Sequence, residues 1–150
     1  MKKIIVLLSA AFLLSATTLF ANPSETTVSN KIKYAFNDAF VGAKEVKWYT
    51  DDNKTFTAKF EISNSKVTAF FNEDGTLLAT SRYLQADQLP LSVSGKIAKR
   101  YADDSIYCIV EYSAGEGTVY FITLEGKNTW TTLKADRNGA VTVQGRLKKA

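Results

Sequence analysis

Apolar residues recur in two different rhythms along this chain. Ile32, Phe36 and Phe40 fall four positions apart, with Ala35 and Ala39 beside them, while Lys31, Lys33, Asn37 and Asp38 take the other side. That spacing predicts a short amphipathic helix, with Ser29 or Asn30 as its cap and Gly42 just past its end. The rhythm then changes. Phe56, Ala58, Phe60 and Ile62 alternate with Thr55, Thr57, Lys59 and Glu61, the period of two that marks a strand with one buried face. Asn53, Asn64 and Asp74-Gly75 supply the turns between strands.

The same order returns later in the chain. Pro90 precedes Val93, Ile97 and Tyr101, with Lys96, Lys99 and Arg100 on the outside, and further strand-like runs come after them. The turn signals Asn72-Glu73-Asp74-Gly75 and Asp136-Arg137-Asn138-Gly139 lie at matching places, as do Val46 and Val110, Trp48 and Tyr112, Phe56 and Tyr120, and Arg82 and Arg146. The second helix arrives three residues early relative to that alignment, which places the extra residues before the second set of strands. The expected architecture is α+β: a tandem repeat, about 28–84 and 90–148, of one helix plus a four-stranded antiparallel meander, with the helices on one sheet face. Gln85 to Pro90 is the linker, short enough for the halves to form one rigid body.

Strand parity sorts the side chains. Val46, Trp48, Phe56, Ala58, Phe60, Val67, Ala69, Leu77 and Ala79 are expected to face the helices, with Val110, Tyr112, Tyr120, Ile122, Leu124, Leu133, Val141 and Val143. Lys47, Tyr49, Thr57, Lys59, Phe70, Arg82, Phe121, Trp130, Lys134 and Arg146 are expected on the open face. Thr, Lys and Glu suffice to solvate a sheet. Tyr49, Phe70, Phe121 and Trp130 interrupting them suggest a protein-binding surface. Two structural readings stand beside it: a one-residue register shift would bury these rings, and exposed rings also stabilise sheets by cross-strand pairing.

The first residues have another character. Met1-Lys2-Lys3 is basic, Ile4 to Phe20 carries no charge, and polarity begins after Ala21. This is the layout of a secretory signal peptide over residues 1–21, which leaves 22–150 as a single domain. A membrane-anchoring helix is the competing reading of the same run. Removing residues 1–21 takes away Lys2 and Lys3 and lowers the net charge from +4 to +2, too little to favour nucleic acid as a partner. The expected location is periplasmic or secreted, and the expected partner another envelope or secreted protein.

Composition narrows the chemistry. The chain has no His, which removes Ser-His and Cys-His nucleophiles and imidazole metal ligands. Its one Cys, Cys108, cannot close an internal disulfide, and it lies in an apolar run that reads as a buried strand. Asp51-Asp52 and Glu73-Asp74 sit in turns and Asp103-Asp104 follows the second helix, an arrangement with no opposed catalytic pair. Asp51-x-Asn53 lacks the Gly and Glu of a calcium loop, since Phe56 and Ile62 hold those places. Gly115-Glu116-Gly117 is a hairpin turn and not a phosphate loop. The chain is therefore read as non-enzymatic, with no catalytic residue, metal or cofactor. A small ligand in a cleft between the repeats is the alternative to a protein partner.

Certain stretches resemble a known family. Val46-Lys47-Trp48, Phe56-Thr57-Ala58-Lys59-Phe60, Ala69-Phe70-Phe71-Asn72-Glu73-Asp74-Gly75, Leu89-Pro90, Ile97-Ala98-Lys99-Arg100-Tyr101 and Tyr120-Phe121-Ile122-Thr123-Leu124 are similar to the PepSY-like, β-lactamase-inhibitor-protein-like (BLIP-like) exported bacterial proteins, over about residues 28–148. The resemblance implies the helix-plus-four-strand repeat, a location outside the cytoplasm, no catalytic site, and an inhibitor-like or sequestering role. The chain departs from that pattern near Gly126-Lys127-Asn128 and at Lys134-Ala135.

Overall fold

The computed structural model describes residues 24–150, so the expected signal peptide lies outside the described residues. A two-residue strand, β1 (Ser24–Glu25), precedes helix α1 (Asn30–Ala39). Four strands come next: β2 (Lys44–Thr50), β3 (Thr55–Ile62), β4 (Ser65–Asn72) and β5 (Leu77–Tyr83). A 3-10 turn at Ala86–Gln88 leads into α2 (Leu91–Arg100), then β6 (Ser105–Ala114), β7 (Gly117–Glu125), β8 (Thr129–Asp136) and β9 (Val141–Lys148). The described strands form one antiparallel sheet in sequence order, β1 to β9. β5 pairs directly with β6, so the two sets of strands are continuous and not two separate meanders. The short strand β1 has no counterpart in the sequence-based expectation.

Both helices form for the reasons their sequences suggest. The Ser29 hydroxyl accepts the Ile32 amide at 3.4 Å and caps α1. Pro90 stands at the start of α2, where its missing amide costs no hydrogen bond. Each helix ends in the same way: Phe40 N–H donates to Phe36 O and Tyr101 N–H to Ile97 O, both at 2.9 Å.

The core is two clusters, one under each helix. Under α1, Phe36 inserts among Phe40, Trp48, Phe60 and Phe71, with ring centroids 4.9 Å from Phe60 and 5.4 Å from Trp48 in edge-on contact. Under α2 the packing is mostly aliphatic: Val93 and Ile97 meet Ile109, Tyr120, Ile122, Leu124 and Leu133. Between the clusters the helix-bearing face turns polar. Thr80 pairs with Ser113 and Arg82 with Glu111 across β5 and β6, and the Arg82 Nε to Glu111 Oε1 distance is 2.7 Å.

Each helix is also fastened to the last hairpin of its own strands. In the β4–β5 turn, Asn72 Oδ1 accepts the amides of Asp74 (3.0 Å) and Thr76 (2.8 Å). In the β8–β9 turn, Asp136 Oδ1 accepts the Ala140 amide at 2.9 Å. Gly75 and Gly139 have φ of 79° and 82°, a region that favours glycine. They lie where the helices come closest: a Cβ on Gly75 would stand 3.3 Å from Lys31 O, and one on Gly139 only 2.8 Å from Ser92 O. Lys31 bridges to Asp74 at 3.0 Å. Ser92 Oγ donates to Arg137 O at 3.2 Å, and Lys96 Nζ donates to Gly139 O.

The register overturns some of the sequence-based facings. Trp48 lies opposite Ala58, and Ile109 opposite Ile122. The helix offset of 61 therefore carries through the first strand of the second half. The three extra residues fall at the first hairpin, and not ahead of the strands. Ile109 is thus the inward residue, while Val110 and Tyr112, expected inward, pair with Phe121 and Val119 on the open face. A bulge between Ile106 and Cys108 belongs to this altered register. Ala79 also changes sides, since it is paired with Phe70. Leu77 and Val143 keep the expected side, opposite the buried Phe71 and Leu133, yet are 40% and 46% exposed, and Val46, also expected inward, is 36% exposed.

This packing generates two stability predictions. Phe36→Ala empties the centre of the first cluster and is expected to cost about 3–5 kcal/mol by denaturant unfolding. Gly139→Ala is expected to lower the melting temperature more than Gly115→Ala. Both glycines have positive φ, but open space surrounds Gly115 while the Ser92 backbone stands against Gly139.

Candidate functional site

Cross-strand pairing defines the face opposite the helices row by row. One row runs Tyr49, Thr57, Phe70, Ala79, Ala114; the next Lys47, Lys59, Thr68, Ser81, Tyr112, Val119. A third runs Val110, Phe121, Lys134, Thr142, and Tyr83 joins it opposite Val110. Tyr83 is 63% exposed and Tyr112 38%. A groove of about 450 Å³ crosses β2 to β6 on this face, lined by Lys47, Tyr49, Lys59, Thr68, Ser81 and Tyr83 among others.

Most residues expected on the open face are there. Lys47, Tyr49 and Lys59 line the groove. Lys59 Nζ lies 5.1 Å from the centre of the Tyr49 ring, a favourable cation–π placement. Phe70 lies in the same row as Tyr49, and Phe121 is directly opposite Lys134. Trp130, opposite Leu147 near the far end of the sheet, is engaged by its neighbours. Tyr107 meets it edge-on at 4.8 Å, and Lys149 Nζ stands 4.8 Å from its ring while bridging to Glu125 at 2.7 Å.

Arg82 and Arg146 are the exceptions. Arg82 is in register with Val67 and Glu111, and Arg146 with the buried Thr131, so both belong to the helix-bearing side. The cause for Arg82 is the bulge between Phe70 and Phe71; for Arg146 it is the bulge between Thr132 and Leu133, beside Gly145. Each shifts parity by one residue. Val110, Tyr83, Tyr107 and Tyr112 belong to the open side and were missed. For Val110 and Tyr112 the signal was present as a doubled apolar pair, Ile109-Val110, which alternation by itself leaves unassigned. Tyr83 is turned outward by the same bulge as Arg82, and Tyr107 lies within the bulge between Ile106 and Cys108.

The acidic pairs take structural places. Asp52 Oδ1 accepts the amides of Thr55 at 2.7 Å and Lys54 at 2.8 Å in the β2–β3 turn. Those backbone bonds, Thr55 first and Lys54 second, hold its carboxyl below the ordinary 3.8. Thr50 Oγ1 completes the turn, donating to Thr55 O at 2.9 Å and accepting the Asn53 amide at 3.0 Å. Asp74 pairs with Lys31. Among the described residues, no three metal-ligating side chains gather, and no helix is long and apolar enough to cross a membrane. Cys108 is partly buried on the open side, opposite Thr123.

Solved structures share this fold. A BLIP-like protein from Bacteroides fragilis matches with a TM-score of 0.70 at 17% identity, over 83% of this chain and 90% of that one. A protein from Bacteroides eggerthii, provisionally described as periplasmic, matches with a TM-score of 0.67 at 13% identity, over 82% and 90%. A DUF2874 family protein from Bacteroides ovatus matches with a TM-score of 0.68 at 18% identity, over 82% and 89%. No family model and no curated protein sequence matches the chain. The fold is therefore the BLIP-like fold that the aromatic and turn positions resemble.

The Asp52 turn predicts a pH effect with a definite sign. A carboxyl whose folded value is depressed stabilises the folded turn fully above its unfolded value of about 3.8, and this is lost as pH falls through the lower folded value. Amide protection at Lys54 and Thr55 is expected to stay constant from neutral pH down to about 4 and to fall below it. Amide exchange followed by NMR checks this; protection lost well above pH 4 would contradict it.

Proposed function

We propose that this chain is an exported, non-enzymatic module that binds another protein through the uncovered face of its sheet. One observation carries the reading. Both helices pack on the same side, and the opposite side bears Phe70, Tyr83, Val110, Tyr112 and Phe121 among lysines. Exposed Tyr83 and Tyr112 beside half-buried Phe70 and Phe121, grouped with cations, are the composition of an interface centre more than of a solvated sheet. Export to the periplasm or beyond is supported by the basic head and apolar run of residues 1–21 and by the provisional description of the neighbour from Bacteroides eggerthii. An inhibitor-like role rests on the resemblance to BLIP-like proteins alone.

We also infer that residues 22–150 are one domain made of two copies of one unit. The support is geometric: the matched helix ends at Phe40 and Tyr101, and the matched contacts of Gly75 and Gly139 with α1 and α2. A small ligand held between the halves has less support. On the helix side that seam carries the Arg82–Glu111 pair and the Ser113–Thr118 hydroxyl contact at 3.0 Å.

The test is capture from envelope extract, with the bound protein identified by mass spectrometry. Wild type and Tyr34→Ser, a control on the 75%-exposed outer side of α1, are expected to retain the same protein. Tyr83→Ser with Phe121→Ser is expected to weaken it by about 30-fold or more with an unchanged circular dichroism spectrum. Equal retention by all three proteins, or loss with Tyr34→Ser alone, would refute the open-face reading.

A further inference from the structure

The open-face groove holds a like-charged pair. Lys47 and Lys59 lie directly opposite each other on β2 and β3, and like charges in that relation destabilise a sheet. Neither forms an ion pair among the described residues; Lys59 leans on Tyr49 instead. The neighbouring row shows the ordinary solution, with Glu61 between Lys44 and Lys66. Two lysines without ion-pair partners kept face to face in the lining of a groove are the arrangement an incoming carboxylate would stabilise.

The rest of the groove constrains the remainder of such a ligand. Along the same row come two hydroxyls, Thr68 opposite Ser81. Beyond them Tyr83 and Val110 form an apolar end. Four strand spacings separate β2 from β6, roughly 19 Å, the span of about six extended residues. That is too long for a single small anion. Glu45 and Glu61 on the lining disfavour a polyanion with a charge at every step, such as a nucleic-acid backbone.

We infer that this groove receives an acidic segment of the protein partner, its carboxylates between Lys47 and Lys59 and its apolar end against Tyr83 and Val110. The inference rests on the open-face reading above and deepens it by assigning the chemistry of the partner. Affinity then falls as salt rises, because the lysines are exposed.

The test is selection of a random dodecapeptide display library on the protein purified from cells producing the complete chain. A parallel selection uses Lys47→Glu with Lys59→Glu. On wild type the enriched peptides are expected to carry Asp or Glu three or four positions from an apolar residue. On the charge-reversed protein that acidic excess is expected to disappear. A synthetic peptide from the wild-type selection should bind Lys47→Gln about tenfold more weakly, while the thermal midpoint of that variant is unchanged or raised, since a repulsive pair has been relieved. A lysine with a merely structural role would lower the midpoint instead. Peptides without an acidic excess, or acidic peptides bound equally by the charge-reversed protein, overturn the inference. If such peptides are lost with Tyr83→Ser and Phe121→Ser but not with the lysine changes, the groove assignment fails and the open-face reading stands. If no peptide is enriched, or none responds to either set, both fail.

Discussion

A ten-residue helix has little stability of its own in water, and the described residues form two of them. Each exists because it lays an apolar stripe on the same side of a sheet. Phe36 in α1 and Ile97 in α2 are the residues on which that contact turns. The sheet depends on the helices in return. Ala58, Ala69 and Phe71 have essentially no exposure, nor do Ile122, Leu124 and Leu133, and an isolated sheet would leave that face wet. The two clusters differ in kind, aromatic under α1 and aliphatic under α2, and the Arg82–Glu111 pair lies between them. One continuous ladder of backbone hydrogen bonds thus joins two cores that do not merge.

The turns explain why the helices stay in place. Asn72 and Asp136 fold the last hairpins of each half, and Gly75 and Gly139 allow those hairpins to approach α1 and α2 at backbone distance. With both helices tied to one side, the other side has no cover from the described chain. Its rings and lysines are a consequence of where the helices are fastened, and the functional reading grows out of that one-sidedness.

Much of this was legible in the sequence, for reasons that can be stated residue by residue. The helices announced themselves because four-residue spacing at Ile32, Phe36 and Phe40 has no competing explanation. Strand β3 did so because Thr55 to Ile62 alternates without a fault. Lys47, Tyr49, Lys59, Phe70, Phe121 and Lys134 were placed correctly on the open side by the same parity. Parity failed where a bulge intervenes. The bulges beside Phe71 and Leu133 put Arg82 and Arg146 on the helix side, and the three residues absorbed at the β6–β7 hairpin brought Val110 and Tyr112 outward. The bulge beside Leu133 had a signal in Gly145, a glycine inside the β9 run, whereas the one beside Phe71 lies among ordinary strand formers and leaves no compositional trace. The lysine pair at Lys47 and Lys59 was similarly invisible, because its meaning lies in the pairing of two strands and not in either one.

The proposed function turns on which side of the sheet is open, and hydroxyl-radical footprinting of the free protein reads that directly. Tyr83 and Tyr112 should be modified quickly, and Phe36, Phe60 and Phe71 should be protected until the protein unfolds. Protection of Tyr83 and Tyr112 together with ready modification of Phe60 and Phe71 would mean that the helices cover the other face, and would contradict the open-face arrangement outright.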